Sequence, residues 1–343
     1  MRTPTRLLAL GAAAAALTLA TMSPAAACGG LVGENGSIRL ERTTTLAAWH
    51  DGVEHYVTSF QFSGTGQAVG SIIPLPAVPS SVEAAGQWTL QRLEREVQPV
   101  LFADAAAGAP TSASSKAEVI LTAQVAALDI TVLKGGGDEV GAWALENGFF
   151  LTPDAPEVLD YYASRSPIFL AAKFDAARAA AQGLNGGDGT PIDITIPIDH
   201  PWVPLRILGL GLPADAPVQA DVFLLTDDRP DLVAGDGLVL DRSEEASASL
   251  MTDLRSDKNT EWMPEHLWFS HLALGATAGA VHYDLSVGTA KAAPTLHDAG
   301  LAGHELSLDG GVDTRAAVVV ATTGALLLGA LVVGLRRRSQ RAA

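Results

Sequence analysis

His50 and His55 are the residues whose spacing first suggests chemistry. They flank Asp51-Gly52, a dipeptide that closes two-residue hairpin loops. Strict pairing across that turn sets His50 opposite Val53, Ala48 opposite His55, and Ala47 opposite Tyr56. The two imidazoles then fall on one face as diagonal neighbours and could meet one metal such as Cu or Zn. A metal needs a third or fourth ligand, which the sequence does not locate, so two ordinary cross-strand histidines are the competing expectation. Cys28 is the only cysteine. At a mature N-terminus its own amine could serve as the base for a thiol nucleophile, the chemistry of a cell-surface hydrolase or thiol enzyme with His50 or His55 as partner. Lipidation is the other use of that position, although Ala25 stands where a lipoprotein signal carries Leu or Val.

Asp221, Asp227, Asp228, Asp231 and Asp236 cluster around an expected strand end. Oxygen-rich loops suit Ca²⁺, but the spacing is not that of an EF-hand. Asp199-His200-Pro201-Trp202 offers an aromatic-proline edge of the kind that contacts peptide or glycan, unless Trp202 is core. Established catalytic signatures are absent: there is no G-x-S-x-G elbow and no P-loop, and His304-Glu305 lacks the second histidine of a zinc-protease helix. The chain therefore gives no catalytic residue and no cofactor, and leans away from an enzyme.

The elements that must position these residues are legible in part. SIRLERTTTLAAWH and VEHYVTSFQFS form the two arms of a hairpin over residues 37–63. One face collects Trp49, Tyr56, Phe60 and Phe62 and should point into the core; the other collects Leu46, Val57, His50 and His55. Val69 to Leu75 reads as a strand. Trp88 to Val97 reads as a helix with Arg92 and Glu96 as an i,i+4 pair. Residues 103–116 read as an exposed loop, and 118–133 as one or two strands. Asp138 is expected to cap a short helix ending at Asn147-Gly148, and Asp154, with Glu157 three later and Pro156, to start another. Further strands are expected at 168–174, 192–198, 203–210, 218–226 and 281–287, with a helix at 175–182 and a partly helical excursion at 243–260. Strands that are mostly adjacent in sequence favour α+β, with mostly antiparallel sheets and a few short helices, over a regular β-α-β alternation.

Both ends of the 343-residue chain read as membrane-directed, as the mean hydropathy of +0.23 already suggests. Arg2 and Arg6, the apolar run Leu7 to Ala20, and Ala25-Ala26-Ala27 make a secretory signal over residues 1–27. Ala316 to Leu335 holds 20 residues without a charge, about 30 Å as a helix, and Arg336, Arg337, Arg338 and Arg341 follow. Positive charge stays on the cytoplasmic side. The expected layout is an extracytoplasmic domain over 28–291, a stalk over 292–315, one transmembrane helix over 316–335 and a basic cytoplasmic tail over 336–343, in the plasma membrane with the bulk outside. The leader holds two of the 22 basic residues and the tail four, so residues 28–315 set 16 against all 38 acidic ones, a net −22. Such a surface repels nucleic acid. A lone cysteine allows no internal disulfide, so a conventional core must hold the exported part together. The function expected from this is a binding or scaffolding module of the cell envelope, with an envelope protein or glycan as partner; metal handling through His50 and His55 is an alternative.

Four segments, CGGLVGENGSIRLERTTTLAAWHDGVEHYVTSFQFSG, VGSIIPLPAVP, VGAWALENGFFLTPDAPEVLDYYASRSPIFLAAKFD and IPIDHPWVPLRILGLG, resemble the bacterial family catalogued as domain of unknown function 2330. The resemblance covers most of residues 28–290. It implies the same layout of signal peptide, extracellular domain and C-terminal helix, and it brings no catalytic residues.

Overall fold

The computed structural model describes residues 30–33, 43–59, 69–86, 88–97, 117–149, 151–182 and 191–302. The signal segment, Cys28, Phe60, Phe62, the 103–116 loop, the 316–335 segment and the arginine tail lie outside the described residues.

Among the described residues, fifteen strands fall into three sheets. The largest has seven strands: β13 (Leu238–Glu245), β14 (Trp268–Thr277), β11 (Pro217–Thr226), β2 (Thr43–His50), β3 (Val53–Ser59), β9 (Pro191–Pro197) and β5 (Ser81–Ala84), in that order. Every pairing in it is antiparallel except β11 with β2. The second sheet is antiparallel throughout and runs β1 (Gly30–Gly33), β4 (Val69–Leu75), β8 (Ile168–Phe174), β7 (Leu128–Lys134), β6 (Glu118–Val125). A small sheet joins β10 (Trp202–Val203), β15 (Leu285–Val287) and β12 (Leu232–Val233).

Alternation along the strands assigns the layers. Ala47, Tyr56, Ile194 and Leu224 of the large sheet share one core with Ile73, Ile130 and Leu170 of the second sheet, so these sheets pack face to face. Val203, Leu285 and Val287 of the small sheet join the same core. The opposite face of the large sheet, through Leu46, Val57, Phe223 and Phe269, is covered by α1 (Thr89–Val97) and α5 (Ala248–Leu254). The opposite face of the second sheet, through Ile72, Phe169 and Ala171, is covered by α2 (Gly137–Glu146) and α3 (Ala155–Ala163). The result is a four-layer arrangement, helix–sheet–sheet–helix. A strand covered on both faces has no solvent side, which is why β2, TTTLAAWH, is buried at every position but the last.

The expected hairpin forms with the expected register, His50↔Val53, Ala48↔His55 and Ala47↔Tyr56. Trp49 and Tyr56 do share the inner face, and the histidine face is also covered, by α1 and α5. β4 and α1 fall where their patterns place them, and Arg92 holds Glu96 at 2.7 Å. Several local expectations are corrected. The first cap of α2 is Gly136, whose N–H donates to Glu139 Oε2 at 2.8 Å, rather than Asp138. Asp154 stands at the N-cap of α3, but its carboxylate accepts from Gly211 N at 2.9 Å instead of from its own helix. Residues 203–210 are not one strand: β10 has two residues, and Arg206–Gly209 is a 3₁₀ turn, because Asp284 captures the amides of Leu205 and Arg206. Residues 292–302 lie against the body. Ala299 is fully buried and its carbonyl accepts from Asp284 N at 2.9 Å.

Candidate functional site

The turn between β2 and β3 sets the site. Asp51 has φ 47° and Gly52 φ 94°, the left-handed pair that a two-residue hairpin loop requires. A Cβ on Gly52 would sit 2.5 Å from Lys291 Nζ, a contact the flexible lysine can relieve, so it is the positive φ that calls for glycine here. Lys291 Nζ donates to Asp51 O at 2.9 Å and lies 5.6 Å from the centre of the Trp49 ring. Trp49 is itself fixed by its indole N–H donating to Ile198 O at 2.8 Å.

Beside this turn is a cleft of about 310 Å³, lined among others by Trp49, Asp227, Asp228, Arg229, Asp231 and Lys291. Asp227 is held on its rim. One carboxylate oxygen accepts from His50 Nδ1 at 2.5 Å, and the other accepts from Asp51 N at 3.2 Å. Since the carboxylate accepts, Nδ1 carries the hydrogen, and Nε2 is the remaining nitrogen of a side chain that is 40% exposed. A carboxylate that orients an imidazole in this way makes it a directed acceptor or base.

His55 shares the hairpin face with His50 but takes a different partner. Its Nδ1 lies 2.9 Å from Asp193 Oδ2, and its ring stacks on Trp262 at 3.7 Å with the planes 3° apart. The second Asp193 oxygen and the Trp262 indole N–H are buried with no hydrogen-bond partner among the described residues. The structure therefore gives His50 and His55 separate carboxylates. Among the described residues no three His, Cys, Asp or Glu side chains gather closely enough to hold a metal ion. The aspartate cluster also divides. Asp227, Asp228 and Asp231 line the cleft, Asp221 accepts from His271 at 2.9 Å on the covered sheet face, and Asp236 offers its backbone carbonyl to the Tyr283 hydroxyl at 2.6 Å. His200 meets Asp298 at 3.1 Å. Trp202 is buried and stacks on Tyr162 at 5.9 Å, so the expected aromatic-proline edge is core.

Two fully buried acids escaped the sequence reading. Asp284 is fully buried and accepts from the Tyr162 hydroxyl at 2.8 Å, Leu205 N at 2.8 Å, Arg206 N at 3.1 Å and the Arg165 guanidinium. Burial raises its proton affinity, and Arg165 with the surrounding donors works in the opposite direction. Arg165 in turn lies 3.8 Å above the Tyr161 ring. Glu54 is also fully buried, yet neither of its carboxyl oxygens has a hydrogen-bond partner among the described residues. Desolvation alone pushes its pKa well above the ordinary carboxylate range. Glu54 belongs to the inner-face row Thr226–Trp49–Glu54–Ile196, so it is the cross-strand neighbour of the tryptophan that lines the cleft.

Comparison with known proteins adds a family and weak structural likenesses. The model of a family described as an uncharacterized protein conserved in bacteria, DUF2330, matches residues 22–306. No curated protein matches the chain. Among solved structures, a mutated baculovirus P35 after caspase cleavage is similar at 8% identity and a TM-score of 0.39, over 73% of this chain and 98% of that one. Baculovirus P35 itself is similar at 8% identity and a TM-score of 0.32, over 77% and 94%.

Proposed function

The chain belongs to DUF2330, a family of uncharacterized proteins conserved in bacteria, and from that premise we propose that it is a single-pass protein of the cell envelope whose folded body stands outside the membrane and acts by binding. The anchor in this reading is the uncharged 20-residue segment 316–335 with its arginine block. No helix among the described residues is long and apolar enough to cross a membrane, and 316–335 lies outside them. The binding site is the cleft beside the first hairpin turn. Three carboxylates and two cations line it, with an oriented imidazole on its rim, a composition that suits a small hydrophilic ligand bearing a cationic group.

The observation that carries the anchoring is the segment's length and charge, and fractionation tests it. The full chain should stay in the pellet after alkaline carbonate washing, whereas a chain ending at residue 302 should be released. Protease added outside spheroplasts should digest the body and leave a short membrane fragment. Extraction of the full chain by carbonate, or a protected body, contradicts the reading. For the cleft, the Trp49 indole resonance is the reporter. It should move on addition of lysine or spermidine up to about 10 mM, enough to fill a site with a millimolar Kd, and stay still with equal ionic strength of sodium chloride. An unmoved resonance removes the cationic ligand class.

A further inference from the structure

We propose that β6 is a self-association edge, along which two copies of this chain pair antiparallel and join their five-stranded sheets into one continuous sheet. Among the described residues β6 is the outermost strand of its sheet: it pairs with β7 on one side and with no described strand on the other. Its backbone groups on that side form a ready template for another strand. The strand reads EVILTAQV, with one charge, no proline and no lysine, so the usual side-chain protections of an edge are missing. Within it, Val119 and Ile120 are large apolar residues, 49% and 36% exposed.

Charge decides the occupant. The whole chain carries −16, so two copies repel each other over most of their surface. Leu121 to Val125 is uncharged. The register with β7 shifts between Val119 and Leu121, which makes Ile120 the bulged residue and leaves Leu121 to Val125 as the regular stretch. Antiparallel pairing centred on Ala123 uses those five residues and keeps the bulge at the end. In that register Leu121 faces Val125 of the second copy and Thr122 faces Gln124. The single acid, Glu118, falls at the far end beside the second copy's β6–β7 turn. There Asp129 is already neutralised by two 3.0 Å bonds from Arg178. A two-fold pairing therefore brings no unscreened like charges together along the strand. An acidic or basic foreign strand would find no counter-charge there.

Sedimentation equilibrium of the full chain in mild detergent tests this, from about 1 to 100 µM. The expected result is a monomer–dimer equilibrium within that range. Thr122 and Gln124 are exposed and face each other across the two-fold. The double variant Thr122→Lys/Gln124→Lys sets lysine against lysine twice and should weaken the dimer at least about tenfold. Thr122→Lys/Gln124→Glu sets lysine against glutamate twice and should leave the dimer as tight as in the parent or tighter. A parent chain that stays monomeric at the top of the range overturns the proposal. So does a dimer indifferent to the double lysine variant, which would place association elsewhere, for example at the membrane segment. Equal weakening by both variants also overturns it, because charge pairing across the two-fold predicts opposite outcomes.

Discussion

Glu54 and Asp284 are both acids with no exposed surface, and they sit in the same body under opposite conditions. Asp284 is surrounded by donors: a guanidinium, two phenols and two backbone amides. Glu54 lies on the inner face of the large sheet, between Trp49 and Ile196 in its cross-strand row, with no donor for either oxygen among the described residues. Burial raises the proton affinity of both. The difference lies in what opposes it: five partners at Asp284 and, among the described residues, none at Glu54. One acid organises its surroundings, because the 3₁₀ turn at Arg206–Gly209 exists where Asp284 holds the preceding amides. The other has only desolvation acting on it, which favours its neutral form beside the cleft's tryptophan.

The largest expected effect comes from breaking the satisfied acid. Asp284→Ala leaves Arg165, the Tyr162 hydroxyl and two amides without their acceptor, and should destabilise the folded state by about 3–5 kcal/mol, read from urea unfolding at neutral pH. A loss below 1 kcal/mol would mean that the network rearranges freely around a cavity.

Glu54 should respond with the opposite sign. Its proton affinity is higher folded than unfolded, so the folded state binds the extra proton and stability falls as pH rises above the ordinary glutamate range toward the raised folded pKa. Glu54→Leu removes that liability. The variant should gain about 1.4 kcal/mol over the parent for each pH unit in that window, and the gap should close near pH 4. A gap independent of pH would indicate a packing effect only.

The two hairpin histidines give a smaller version of the same comparison. His55 is covered and stacked on Trp262, whereas His50 is 40% exposed. Trp262→Ala should cost about 1–2 kcal/mol by unstacking His55 and opening the Asp193 pair to water. Asp227→Ala should cost under about 1 kcal/mol of stability, as exposed pairs do, yet release the His50 ring. Its effect should appear in the His50 imidazole NMR shifts rather than in the unfolding curve. Equal losses from the two variants would erase the distinction between the two ends of the turn.

What the sequence made legible follows from distance along the chain. The hairpin register is local: Asp51-Gly52 and the alternation on either side suffice to pair His50 with Val53. The carboxylates that claim its histidines are not local. Asp193 is 138 residues from His55, and Asp227 is 177 residues from His50. No spacing rule links such pairs, so a shared metal could look plausible where the fold provides two separate acids. β14 was not anticipated, because WFSHLALGAT mixes apolar residues with Gly and Ala and lacks a clean alternation. Its strand character comes from being held between β11 and β13. The cap at Gly136 was misplaced by two residues because a glycine offers no side chain to announce it; the signal was Glu139 reaching back. Family membership was visible from the quoted segments, and the family model confirms it. Alternation already sets Glu54 opposite Trp49 and on the face of Tyr56, the face expected to point inward, so its burial follows from the hairpin register rather than from any distant pairing.

Burial with no donor among the described residues favours the neutral form of Glu54, beside the cleft's tryptophan. Infrared difference spectroscopy between the parent chain and Glu54→Gln at neutral pH tests that state directly. The account predicts a protonated carboxylic acid C=O band that is present in the parent, disappears in the variant and shifts on ¹³C labelling of glutamate. A difference spectrum that contains only carboxylate bands would mean that Glu54 is charged, and that a cation or solvent reaches it between the sheets.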